Sequence, residues 1–165
     1  MIIYLEPSAL FKCYWEEEGS ANVEWVLAQL DEHDKGETSI WTLLEITRGF
    51  IKRANLGEIS YDEAGDAVNF FLADMRDLER KKKIKIIGIT KGIVNRALVI
   101  MRGRNLYAAD STHVATASNT NADVMLVDDR HFEKFYEIED VKVLNVADDA
   151  FRDLFAEIKG RSKKF

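Results

Sequence analysis

At 165 residues, 47% apolar and 32% charged, the chain has the size and composition of one globular domain with one substantial core. A net charge of −6 excludes a broad nucleic-acid-coating surface but leaves room for a local basic groove or a metal site built from acids. The lone Cys13 excludes an internal disulfide framework and suits a reducing cytosol, and no apolar run approaches the roughly 20 residues of a membrane span.

Met1 is followed at once by strand-like residues, so no secretory leader is expected. Ile2, Ile3, Tyr4 and Leu5 predict a strand buried on both faces. It ends in Glu6, and Pro7 and Ser8 follow where a helix can begin. A carboxylate in that place stands where open α/β sheets put their ligand crevice. Ala9 to Glu18 carries Leu10, Cys13 and Tyr14 at helical spacing, and Gly19 punctuates it. Ser20 opens a second helix with Val23, Val26, Leu27 and Leu30 on one face. Asp31 to Glu37 predicts a polar loop, and Thr38 to Trp41 a short second strand. Thr42 and Glu45 have the spacing of a capping box, and the helix they open uses Leu43, Leu44, Ile46, Phe50 and Ile51 as far as Asn55.

Ser60 and Glu63 repeat that spacing before a long helix reaching about Glu79. The basic run Arg80 to Lys83 precedes a strand over Ile84 to Ile89. Thr90 opens a helix that Gly103 closes, and another helix runs from about Ala108 to Asn119. The strand Val124 to Val127 ends in Asp128 and Asp129, and Val141 to Val146 is a last strand. A helix from Asp148 to about Lys159 completes one domain over 1–159, leaving a basic tail, 160–165, expected to be flexible. About five strands interleaved with helices predict an α/β fold with a central parallel sheet. The helices of the first two connections are expected to form one wall beside it.

The acids then converge on one sheet edge. Glu6 and the Asp128–Asp129 pair end strands, Glu45 lies in the helix after the second strand, and Asp110 begins a helix. Glu45 can instead be a capping residue, Asp110 a helix-start acid, and Asp128 or Asp129 a turn former or the cap of a turn at Arg130 to Phe135. Glu6 is the hardest of the acids to read that way, because a carboxylate straight after an apolar run risks desolvation. Converging carboxylates repel one another unless a cation joins them, and oxygen ligands select Mg²⁺ or Mn²⁺ over zinc. Strand alternation sends Asp128 with Leu126 and Asp129 with Met125 and Val127, so the two aspartates do not share a pocket.

Four stretches in order carry a resemblance. Tyr4-Leu5-Glu6-Pro7-Ser8-Ala9-Leu10, Ile40 to Phe50, Ala109 to Ala117 with Asp110 and His113, and Asn121 to Phe132 resemble the successive motifs of PIN domains. The nearest subgroup is the VapC-type toxins of prokaryotic toxin–antitoxin pairs. The resemblance implies a three-layer α/β sandwich and metal-dependent endonucleolytic cleavage of RNA. It implies Glu6, Glu45, Asp110 and Asp129 as catalytic acids, Glu6, Asp110 and Asp129 as ligands of Mg²⁺ or Mn²⁺, and Asp128 as the competing fourth acid and a further metal ligand. It implies Ser8 beside the first acid, and Ser8, Arg48 and Arg130 in contact with substrate. It also implies a cytoplasmic homodimer, no membrane, and silencing by a cognate antitoxin protein.

Two departures from the family pattern stand out: Glu6 occupies a position usually held by Asp, and Val127 one usually held by Thr or Ser. They support an alternative, a PIN-like RNA-binding or assembly module with weakened catalysis. Lys12, Arg102 and Arg104 are further candidate cations for RNA, whereas the Arg80 to Lys83 run reads as solvated. His113 reads as structural and His131 as a surface residue. Trp15, Trp25, Trp41, Phe70 and Phe71 read as core or subunit interface.

Overall fold

A computed structural model describes residues 1–162. The chain runs β1 (Ile2–Leu5), α1 (Pro7–Phe11), α2 (Ser20–Ala28), β2 (Lys35–Ser39), α3 (Trp41–Asn55) and α4 (Tyr61–Arg80). It continues through β3 (Ile84–Ile87), α5 (Lys91–Arg104), α6 (Ala108–Asn119), β4 (Val124–Val127), β5 (Glu137–Ile138), β6 (Val141–Asn145) and α7 (Phe151–Ser162). The strands form one sheet in the order β3-β2-β1-β4-β6-β5. Every pairing is parallel except the β5–β6 hairpin, which is antiparallel.

Residue alternation builds the layers. Ile3 and Leu5 of β1, with Val124 and Leu126 of β4, turn to one face and pack with α1 to α4 and α7 through Leu10, Val26, Phe50, Phe71 and Phe155. Tyr4, Met125 and Val127 turn to the other face and pack with α5 and α6 through Ile93, Ala97, Ile100, Val114 and Ala117. The helical wall expected from the first two connections is present, with α7 added to it. The chain steps from β1 out to β3 and then returns through α5 and α6 to β4, on the other side of β1. That reversal puts a crevice at the carboxyl ends of β1 and β4.

Several boundaries differ from the sequence reading. β2 begins at Lys35, inside the expected loop, because Gly36 lies in the sheet, where a Cβ would meet Ile84 Cγ1 at 2.9 Å. α1 stops at Phe11 because the following amides of Lys12, Cys13 and Tyr14 bond three residues back in tight turns. Thr42 does not cap α3; its buried hydroxyl meets the Thr38 hydroxyl at 2.8 Å, and Ile40 holds the cap position. The expected flexible tail is helical through Ser162, where Arg161 pairs with Glu157, and residues 163–165 lie outside the described ones. The capping box of Ser60 and Glu63 and the cap at Thr90 form as read.

Candidate active site

Glu6 follows β1 directly, and its backbone amide bonds Leu126 O of β4 at 3.1 Å. Its carboxylate caps α1, accepting the Ser8 amide at 2.8 Å, while Pro7 fills the first helical position, where no amide is needed. The Ser8 hydroxyl donates to the same Glu6 oxygen and accepts the Asp128 amide at 2.8 Å. Both of its hydrogen-bonding capacities therefore tie the ends of β1 and β4 together. Glu6 is only 5% exposed, and burial pushes its carboxyl up from 4.5 to about 7, against the pull of His113 and the bonds from Ser8.

Glu45, freed of any capping role, extends from α3 to His113 of α6, whose Nε2 lies 2.5 Å from Glu45 Oε2. His113 Nδ1 lies 2.8 Å from the Tyr4 hydroxyl, and both side chains are wholly buried. A carboxylate only accepts, so Nε2 carries a proton, and in the neutral ring Tyr4 then donates to Nδ1. Burial holds the Tyr4 hydroxyl protonated, well above its ordinary range. α3 is held close to α1 at Gly49, where a Cβ would stand 2.8 Å from the Phe11 ring. Between these helices lies a cleft of about 250 Å³, lined by Pro7, Ser8, Phe11, Glu45, Gly49 and Asp128 among others.

Asp110 sits in the first turn of α6, three residues after Tyr107, which holds the N-cap position. Burial raises the Asp110 carboxyl, the charge of Asp129 raises it further, and His131 opposes them. Asp129 Oδ1 accepts the His131 amide at 2.8 Å in an Asx turn. Phe132, buried in the second core, anchors that turn and holds the His131 ring beside the acids. His131 Nδ1 stands 3.0 Å from Asp129 Oδ1 and 3.5 Å from Asp110 Oδ2. Neither approach has hydrogen-bond geometry, so Asp110 Oδ2 and His131 Nδ1 are buried polar atoms with no hydrogen-bond partner among the described residues.

The structure thus sorts the acids as strand alternation requires. Asp129 turns toward Asp110, whereas Asp128 turns the other way, to Lys12 at 2.7 Å. Lys12 is buried and also lies 3.4 Å from Glu17. It is therefore an internal counter-ion for Asp128 and not the RNA-facing cation expected from the sequence. Asp128 is correspondingly a paired acid and caps no helical turn, which corrects the expectation of a cap over Arg130 to Phe135. Arg48 and Arg130 are exposed and have no ion pair among the described residues. His131, read from the sequence as a surface residue, stands between the two acids instead, and the signal for it was the apolar Phe132 one residue on, which anchors the turn.

Among the described residues no three His, Cys, Asp or Glu side chains form a ready metal cage. Two carboxylates drawn together, with one buried oxygen lacking any donor, still suit Mg²⁺, which takes one or two carboxylates and keeps several waters.

The fold matches VapBC2 from Rickettsia felis, solved on a promoter DNA fragment, with TM-score 0.60 and 14% identity over 88% of this chain and 98% of that one. It matches PAE2754 from Pyrobaculum aerophilum with TM-score 0.63 and 15% identity, over 97% and 90%. It matches VapC20 from Mycobacterium tuberculosis, a toxin that cleaves the sarcin-ricin loop, with TM-score 0.57 and 15% identity, over 85% and 98%. No curated protein matches the sequence significantly. The family model for the PIN domain matches residues 3–138, which include the four acids and both histidines of the site, so the chain belongs to the PIN domain family.

Proposed function

We propose that this chain is a metal-dependent endoribonuclease and the toxin of a toxin–antitoxin pair. The observation that carries the reading is the Asp110–Asp129 pair at the carboxyl edge of the sheet, with Asp110 Oδ2 buried and unpartnered. Family membership supports it, as do the toxin and toxin–antitoxin structures that share the fold. Asp110 and Asp129 would hold Mg²⁺ or Mn²⁺, with Glu6 and Glu45 as the flanking acids. Such an ion, when bound, supplies an activated water and neutralises charge on the departing oxygen of a phosphodiester. Ser8 fixes the Glu6 carboxylate, so its role is positioning. Arg48 and Arg130 meet the phosphates. A cognate antitoxin and a second copy of the chain are the protein partners, in the cytoplasm, and the exposed Trp41, Leu44 and Ile51 along α3 offer apolar surface for the second copy.

The test is cleavage of a structured RNA by the purified protein. With Mg²⁺ or Mn²⁺ the RNA is cut, EDTA stops the reaction, and Asp110→Asn slows it by about 100-fold or more. One observation favours a second reading, an RNA-binding module with little catalysis: Glu6 holds its proton up to about 7. RNA binding without metal-dependent cleavage at pH 8 would establish that reading instead.

A further inference from the structure

We propose that Tyr107, backed by His131, is a stacking platform for an unpaired RNA base beside the scissile phosphate; this rests on the ribonuclease reading above. A single exposed tyrosine is ordinary. Tyr107 is distinguished by what it is attached to. It holds the N-cap position of α6, three residues before Asp110 in the first turn of that helix. Its ring meets the His131 ring at 4.9 Å and 67°, and His131 Nδ1 is 3.0 Å from Asp129. The platform therefore shares the first turn of α6 with one acid of the proposed metal pair and reaches the other through the His131 ring.

The two rings meet edge to face rather than stacked, and Tyr107 remains 68% exposed. A free aromatic face next to a phosphate-cleaving centre suits a splayed-out base, because every base has a π-face. Cations stand near it along the chain: Arg102 is in the last turn of α5, five residues before Tyr107, and exposed Arg130 lies between Asp129 and His131. These track the backbone while the ring takes the base. The chemistry selects single-stranded RNA and reads no particular base, since stacking alone does not distinguish them.

The experiment is a fluorescence titration of the full chain with a single-stranded oligoribonucleotide carrying 2-aminopurine, in EDTA so that metal-dependent cutting is off. The wild type quenches the probe on binding, and Tyr107→Phe does the same. Tyr107→Ala weakens binding by between about 5- and 100-fold and abolishes the quench. Its salt dependence stays as steep as the wild type's, whereas Arg130→Ala lowers the slope by about one. Thermal melts of the variants are compared, and a Tyr107→Ala loss that tracks a collapsed melt is repeated with Tyr107→Leu, which fills the space without stacking and must show the same loss. Wild-type affinity in Tyr107→Ala, or a loss in Tyr107→Phe equal to that in Tyr107→Ala, overturns the platform and leaves the ribonuclease reading standing. Binding and quenching by a wild type that does not cut RNA with Mg²⁺ supports the platform and overturns that reading. No binding by the wild type overturns both.

Discussion

Glu6 shows how one buried carboxyl couples the stability of the fold to pH. Its carboxyl is buried, so the folded chain holds the proton up to about 7, against 4.5 for the free group. The folded state binds that proton more tightly than the unfolded state. The resulting stability is full below about 4.5 and is lost as pH rises through about 7. Its size is about 3 kcal/mol. Asp110, also raised by burial, acts in the same direction. Metal-free protein is therefore expected to melt at progressively lower temperature from pH 5 to pH 8, and Glu6→Gln is expected to remove most of that fall. A wild-type melting curve indifferent to pH would contradict the burial argument. Tyr4 makes a second test at this scale. Tyr4→Phe keeps the ring packing and removes only the hydroxyl that orients His113 and, through it, Glu45. Loss of such an outer partner lowers metal affinity or rate by about 10-fold or more, which cleavage kinetics with a matched melt would detect.

At the scale of elements, the strongly patterned segments were legible and the polar ones were not. α4 announced itself through its 3.6-residue apolar period and the Ser60–Glu63 box, and α6 and β4 have the bounds their sequence suggests. β2 was read as a strand but over Thr38 to Trp41 instead of Lys35–Ser39, because Glu37, Thr38 and Ser39 are polar yet buried, and only the neighbouring strands reveal that Gly36 belongs in the sheet. β5 was missed because two residues carry no period. Its hairpin turn puts Glu139 and Asp140 at positive φ, 52° and 66°, where Asn-Gly is the usual choice. Glu139 is held there by ion pairs to Arg96 and Arg104 and by the Ser118 hydroxyl on its carbonyl. Asp140 has no ion pair among the described residues and stays exposed. Asp140→Gly is accordingly expected to stabilise the fold by about 0.5–1 kcal/mol in urea unfolding, and a destabilisation would show that the side chain matters more than the backbone strain.

At the scale of the whole molecule, the site exists because the chain reverses direction across the sheet and brings the ends of β1 and β4 together. Acids at strand ends could be read from sequence because they follow apolar runs. Their grouping could not, since it depends on partners far away in the chain: His113 for Glu45, His131 for Asp110, and Lys12 for Asp128. Alternation along β4 did foretell that Asp128 and Asp129 part company, and the two cores on either side of the sheet are the physical reason. The central claim is that Asp129, with Asp110, is the metal-holding acid and that Asp128 is structural. It is tested most directly by the rate at which the two single variants cut a structured RNA with Mg²⁺ or Mn²⁺, with a thermal melt of each. Asp129→Asn is expected to abolish cleavage while the fold persists. Asp128→Asn is expected to retain most of the rate but to lose roughly 1–3 kcal/mol of stability, because it leaves buried Lys12 with Glu17 as its remaining counter-ion. An inactive Asp128→Asn beside a nearly normal Asp129→Asn would contradict the account.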